Sequence, residues 1–107
     1  MKRGDVVTIA AAGDYGKPKP ALVIQADAFE AMPSVTLLPL TSEIHADHLV
    51  RIAMAPTNDN GLRAPSQVMI DKAMTIPRAK VGAVIGRAGG ETLAAVNVAL
   101  ARFLGLA

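Results

Sequence analysis

The chain contains no cysteine and no tryptophan. Without cysteine there is no disulfide framework, no thiolate zinc site and no cysteine nucleophile. Aromatic residues are almost absent: Tyr15, Phe29 and Phe103 are the whole set. A core must therefore come from Val, Ile, Leu and Met, and three aromatics are too few to line a peptide-binding groove. No apolar run approaches the roughly 20 residues that a membrane helix needs. The basic opening Met1-Lys2-Arg3-Gly4-Asp5 is not followed by the apolar core of a signal peptide. These absences lead to the expectation of a soluble, cytoplasmic protein that does not engage a membrane. Excess charge is also small, at +2, so net charge does not by itself point to nucleic acid.

What is present is apolar and short. The 107 residues suffice for one hydrophobic core, and residues 1–107 read as a single domain. Apolar residues make up 51% of the chain, many of them alanine. A domain this apolar has a face left over, which predicts a homo-oligomer.

Asp5 to Ala10 is rich in β-branched residues and reads as a strand. Ala11 to Pro20 carries two glycines, an aspartate and two prolines, and reads as a long loop. Ala21 to Gln25 is a short apolar strand, and Ala26 to Pro33 contains a helical turn. Ser34 to Leu40 is another strand, which Pro39 assigns to an edge or a bulge. Leu49 to Met54 alternates, with Arg51 on one face, as a half-buried strand does. Ala55 to Gly61 is turn chemistry. Ser66 to Asp71 and Ala73 to Ile76 form two strands, or one strand bent at Asp71-Lys72. Pro77 to Lys80 begins a helical turn, and Ala83 to Ile85 is a last short strand.

From Glu91 to Leu104 the residues Leu93, Val96, Leu100, Phe103 and Leu104 recur at helical spacing. Glu91 suits the helix start and Gly105 its end. The remainder of this helix is so apolar that it should be buried on more than one side or meet a partner. Several short strands and one C-terminal helix predict a mainly β (α+β) fold, a small and strongly bent antiparallel sheet or barrel.

Chemistry-bearing residues are few. Gly86-Arg87-Ala88-Gly89-Gly90 lacks the Lys-Ser/Thr pair of a phosphate loop and reads as a turn before the helix. Arg87 within it is a candidate phosphate contact. His45 and His48 are three apart but fall in a loop, and no metal site is expected from them. Thr41 and Ser42 follow a strand, where their hydroxyls either cap freed backbone groups or donate to an oxyanion. Lys17 and Lys19 alternate with Pro18 and Pro20 ahead of an apolar strand, so two ammonium groups are held where the backbone is stiff.

In order along the chain, these segments resemble the MazF/PemK family of bacterial toxin ribonucleases. Lys2-Arg3-Gly4-Asp5-Val6 is similar to the family's opening strand. Gly16-Lys17-Pro18-Lys19-Pro20-Ala21-Leu22-Val23 is similar to its Gly-x-x-Arg-Pro-Ala-Leu-Val segment, and Pro39-Leu40-Thr41-Ser42 to its Pro-Leu/Cys-Thr-Ser/Thr segment. Gly61-Leu62 and Ser66-Gln67-Val68-Met69-Ile70-Asp71-Lys72 match the Gly-Leu and strand-Asp-Gln/Lys signatures. The resemblance implies an SH3-like small β-barrel with a C-terminal helix, a homodimer, and a cognate antitoxin that occupies the RNA groove. It implies cleavage of single-stranded RNA, messenger RNA included, by 2′-OH attack without metal or cofactor. Carried onto this chain, it places catalysis at Lys19 and Thr41; Lys17, Ser42, Lys72 and Arg87 are the candidate RNA contacts beside them.

One residue departs from the pattern. Where the family keeps an arginine, this chain has Lys19, a point charge in place of a planar fork that grips two phosphate oxygens. The departure predicts a weakened ribonuclease. The alternatives are an RNA-binding module that has lost catalysis and a gyrase-directed toxin of the related CcdB type. The CcdB type carries its poisoning on a C-terminal Trp-Gly-Ile, whereas this chain has no tryptophan and reads Phe103-Leu104-Gly105-Leu106-Ala107 at that position.

Overall fold

A computed structural model describes residues 1–10 and 17–107. The first six residues of the predicted Ala11–Pro20 loop, Tyr15 among them, lie outside the described residues. Among these residues, seven strands and one helix follow in chain order: β1 (Asp5–Ala10), β2 (Pro18–Val23), β3 (Ser34–Thr41), β4 (Arg51–Met54), β5 (Ser66–Met69), β6 (Met74–Pro77), β7 (Val81–Arg87) and α1 (Gly90–Phe103). Short 3₁₀ turns at Asp27–Phe29, Ile70–Lys72 and Arg78–Lys80 connect them.

Every strand pair is antiparallel, and the sheet runs β4-β5-β3-β2-β1-β7 with β6 added on β3. Its two end strands, β4 and β7, do not pair among the described residues, so the sheet is open. The β1–β7 ladder shifts register twice, after Val6 and after Val7, and such bulges bend a sheet edge.

Alternation along the strands buries both faces. Val6, Leu22, Leu38 and Val68 face one cluster, which Val96 of α1 closes. Val7, Ala21, Val23 and Leu37 face the other. Each large aliphatic side chain buried in this way contributes about 1.5–3 kcal/mol, which compensates for the missing aromatics.

The predicted elements shift at several points. β2 starts at Pro18, three residues earlier than the apolar pattern indicated, and ends at Val23. Pro39 lies inside a central strand, with neighbours on both sides, and not at an edge. The Thr36 carbonyl accepts from the Ile24 N–H at 3.2 Å, so even-numbered peptide groups of β3 point to β2. Pro39 therefore turns its nitrogen to the opposite edge, between Leu37, where β6 pairing ends, and Leu40, where β5 pairing begins. No ladder bond needs the missing N–H. β7 absorbs Gly86 and Arg87, which the sequence placed in a flexible turn.

The helix has Glu91 in its first turn and closes with the Leu106 N–H on the Ala101 carbonyl at 2.7 Å. Within this chain it is buried on one side only. Val96 is fully covered, whereas Val98, Phe103 and Leu104 are about half exposed.

Candidate nucleic-acid interface

The β2–β3 ladder pairs Val23 with Leu37, Leu22 with Leu38 and Ala21 with Pro39, and there it stops. Continued in register, the next rungs would join Pro20 to Leu40, Lys19 to Thr41 and Pro18 to Ser42. Parity explains the stop. The Ile24 N–H bonds to β3, while the Val23 carbonyl takes the Gly4 N–H on the β1 side at 2.8 Å. Even-numbered peptide groups of β2 thus face β3, so Pro20 and Pro18 stand where N–H donors to β3 would be needed. Lacking them, the strands part: residues 18–20 stay paired to β1 alone, and Leu40 and Thr41 pair with β5.

The parting strands open a groove of about 1000 Å³, and Lys17, Lys19, Thr41 and Ser42 all line it. Lys19 sits on β2 opposite Ile9. The Thr41 Oγ1 accepts the Glu43 N–H at 3.1 Å, which leaves the hydroxyl proton available to donate elsewhere.

The second wall comes from the turn after β4. Asn60, buried, accepts the Thr57 and Leu62 N–H groups at 3.1 and 3.0 Å and donates to the Ala55 carbonyl at 2.8 Å. Gly61 follows at φ +71°, pressed against the Ile85 backbone, where any side chain would collide. This turn presents Leu62 and Arg63 to the groove. Arg63, Glu43, Thr8 and Ser66 are lining residues that sequence reasoning missed. Arg63 directly follows the quoted Gly61-Leu62 pair, so adjacency to a motif was its only available signal.

Two candidates lie elsewhere. Arg87 donates from Nη1 to Asp5 Oδ1 at 2.9 Å and from Nη2 to the Arg3 carbonyl at 3.0 Å, tying β7 to the start of β1. Lys72 belongs to the 3₁₀ turn that contacts α1. Neither lines the groove. The two imidazoles do not converge. His45 Nε2 is 3.6 Å from Glu43 Oε1, while His48 Nε2 is 3.9 Å from Asp71 Oδ2. Among the described residues, no group of three or more His, Asp or Glu side chains could hold a metal ion.

Among the described residues the groove thus gathers two ammonium groups, a guanidinium, three further hydroxyls besides that of Thr41, and one carboxylate, Glu43. That is the chemistry of a phosphodiester site, with cations against non-bridging oxygens and hydroxyls as short donors.

Residues 2–104 match the family described as the PemK-like, MazF-like toxin of type II toxin–antitoxin systems. The chain is 44% identical over 108 residues to a probable endoribonuclease MazF of Mycolicibacterium smegmatis, covering all of this chain and 99% of that one. Its fold is similar to a mycobacterial endoribonuclease solved with its cognate antitoxin, at a TM-score of 0.83 and 27% identity over 100% of this chain and 97% of that one. A second mycobacterial endoribonuclease matches at a TM-score of 0.79 and 26% identity, over 98% and 91% of the two chains.

Proposed function

The chain belongs to the PemK-like, MazF-like toxins of type II toxin–antitoxin systems, and from that membership we propose that it is an endoribonuclease acting on single-stranded RNA in the β2–β3 groove. The observation that carries this reading is the convergence of Lys17, Lys19, Arg63, Thr41 and Ser42 on one groove. In the proposed reaction the ribose 2′-oxygen bonds to the adjacent phosphorus and the bond from phosphorus to the 5′-oxygen breaks. The 2′-OH loses its proton, the departing 5′-oxygen gains one, and the products are a 2′,3′-cyclic phosphate and a 5′-OH. DNA lacks the nucleophile and is left intact.

Negative charge builds on the non-bridging oxygens as the fifth bond to phosphorus forms. Lys19 and the Thr41 hydroxyl stabilise it, while Lys17, Ser42 and Arg63 hold the flanking backbone phosphates. Glu43, a carboxylate of the lining, is the proposed acceptor of the 2′-OH proton. The protein's own cations can neutralise the phosphate, so the proposed cleavage proceeds without a metal cofactor.

The partners follow the same reading. A cognate antitoxin, of the kind seen with the mycobacterial relative, would compete for the groove. The half-exposed Val98, Phe103 and Leu104 support a homodimer. Among the described residues no helix is long and apolar enough to cross a membrane, and the RNA substrate would be met in the cytoplasm.

The deciding experiment maps fragment ends after incubating mixed-sequence RNA with the protein and EDTA. Fragments bearing 5′-OH ends and 2′,3′-cyclic phosphates are expected. Cleavage that requires added metal, or that leaves 5′-phosphates, would overturn the reading.

A further inference from the structure

The segment between β3 and β4 has little to hold it. Ser42, Glu43, Ile44, Ala46, Asp47 and Leu49 are exposed and add nothing to either core cluster. Yet Glu43 and Ser42 form part of the groove wall, beside Thr41. Something other than apolar burial must fix this wall.

Gln67 supplies it. The residue is 7% exposed, lies on β5 and stands directly opposite Thr41 in the ladder. Its Oε1 accepts the His45 N–H at 3.1 Å, and its Nε2 donates to the His45 carbonyl at 3.0 Å. A primary amide carries the same donor and acceptor as a peptide group. The Gln67 side chain therefore acts as one more rung of the β3–β5 ladder, past the point where backbone pairing ends. The His45 carbonyl also takes the His48 N–H at 3.2 Å, which makes His45 the node on which the segment folds. Two residues before that node, the Glu43 N–H reaches the Thr41 hydroxyl. A continuous line of hydrogen bonds and short chain thus runs from a buried amide to the groove.

We infer that Gln67 is a positioning residue that fixes the Thr41–Glu43 wall through its two-way clamp on His45 and so determines where in a sequence RNA is cut. The inference rests on the ribonuclease reading of the same groove. Gln67 itself does not line the groove. Losing the clamp lets the wall sample many positions, and displacing catalytic groups by an ångström lowers a rate by about 10²-fold.

The test compares the wild type with Gln67→Met, which is of similar length and lacks both polar atoms. His45→Pro is the second variant; it removes the N–H from an exposed loop position and spares β5 if Gln67→Met fails to fold. In each, amide exchange of the 42–48 segment, kcat and KM on one RNA, and the spectrum of cleavage sites on mixed RNA are measured. The expected result is faster exchange confined to that segment, kcat lowered about 10- to 100-fold with KM changed much less, and a broadened set of cleavage sites. Unchanged exchange overturns the clamp. Faster exchange with wild-type kinetics and cleavage sites overturns its role in positioning. If the wild type itself leaves RNA intact, the ribonuclease reading falls instead. The clamp is then judged on exchange together with affinity for labelled RNA, and wild-type affinity in both variants overturns it.

Discussion

Lys19 offers the sharpest perturbation of the groove, because its backbone is pinned in the β1–β2 ladder while the residue lines the groove. It lies opposite Ile9 in the β1–β2 ladder and is exposed on the groove side. Lys19→Arg conserves charge at an exposed position, so stability should change by no more than about 0.5 kcal/mol. The chemistry should change more. A lysine ammonium meets the phosphate as one point charge, whereas a guanidinium can hold two oxygens at once. One additional hydrogen bond to a charged group contributes about 1.5–3 kcal/mol. At about 1.36 kcal/mol per factor of ten, that is a gain of about 10- to 150-fold in kcat/KM. Lys19→Met removes the charge and should cost at least about 100-fold. Single-turnover cleavage of a fluorescent single-stranded RNA measures both, with urea unfolding as the control for stability. Arg63→Lys belongs in the same series, since it removes a fork from the opposite wall. A Lys19→Arg protein no faster than wild type refutes the expectation that lysine weakens the site. A Lys19→Met protein that retains full activity removes Lys19 from the chemistry altogether.

Thr41→Val deletes the hydroxyl but keeps the shape of the side chain, and kcat should fall about 10²- to 10³-fold, as when an oxyanion donor is lost. Thr41→Ser should restore most of it, while unfolding free energies from urea titration stay within about 1 kcal/mol of wild type for both, because the Glu43 N–H is exposed to water. Gly86→Ala drives a methyl group onto the Asn60 carbonyl and the Asp59 oxygen, backbone atoms that cannot turn away, and should lower stability by about 1–3 kcal/mol in urea unfolding. Pro20→Ala supplies the N–H that Leu40 lacks as a partner across β2–β3. Amide exchange should show residue 20 newly protected while RNA cleavage falls; an unprotected residue 20 would refute the unzipping argument.

The parts of the fold that were legible in the sequence are those whose signal is local. The helix shows its 3.6-residue period from Leu93 to Leu104, and β1 and β3 show β-branched runs whose alternation survives in the two clusters. Lys17, Lys19, Thr41 and Ser42 were readable because each sits in a quoted segment, and the topology brings those segments to one groove. Long-range pairing is where local reading failed. Arg87 looked like a phosphate contact in a glycine-rich turn, but Asp5, 82 residues away, holds its guanidinium. Arg63 carried no signal beyond its adjacency to Gly61-Leu62, because it is the Asn60 turn that aims it at the groove. Gln67 looked like an ordinary strand residue, since its partner lies across a loop 22 residues away.

The prolines show why composition and geometry must be read together. From sequence alone, Pro18 and Pro20 stiffen a loop and hold two lysines in place. In the structure both belong to β2, and their effect comes from the donors they lack. Glycine or serine at the same positions would leave N–H groups aimed at β3, and the ladder could zip through Lys19 and Thr41, closing the groove. A longer loop could hold the strands apart but would not keep Lys19 locked to β1. Proline at alternate positions does both: the odd-numbered peptide groups, Lys19 included, stay in the β1 ladder, while Pro18 and Pro20 have no N–H to give to β3. An unpaired strand edge invites a foreign strand, and an edge without donors resists one. A partner that enters this groove must therefore be recognised through its phosphates or side chains and not by adding a strand to β2.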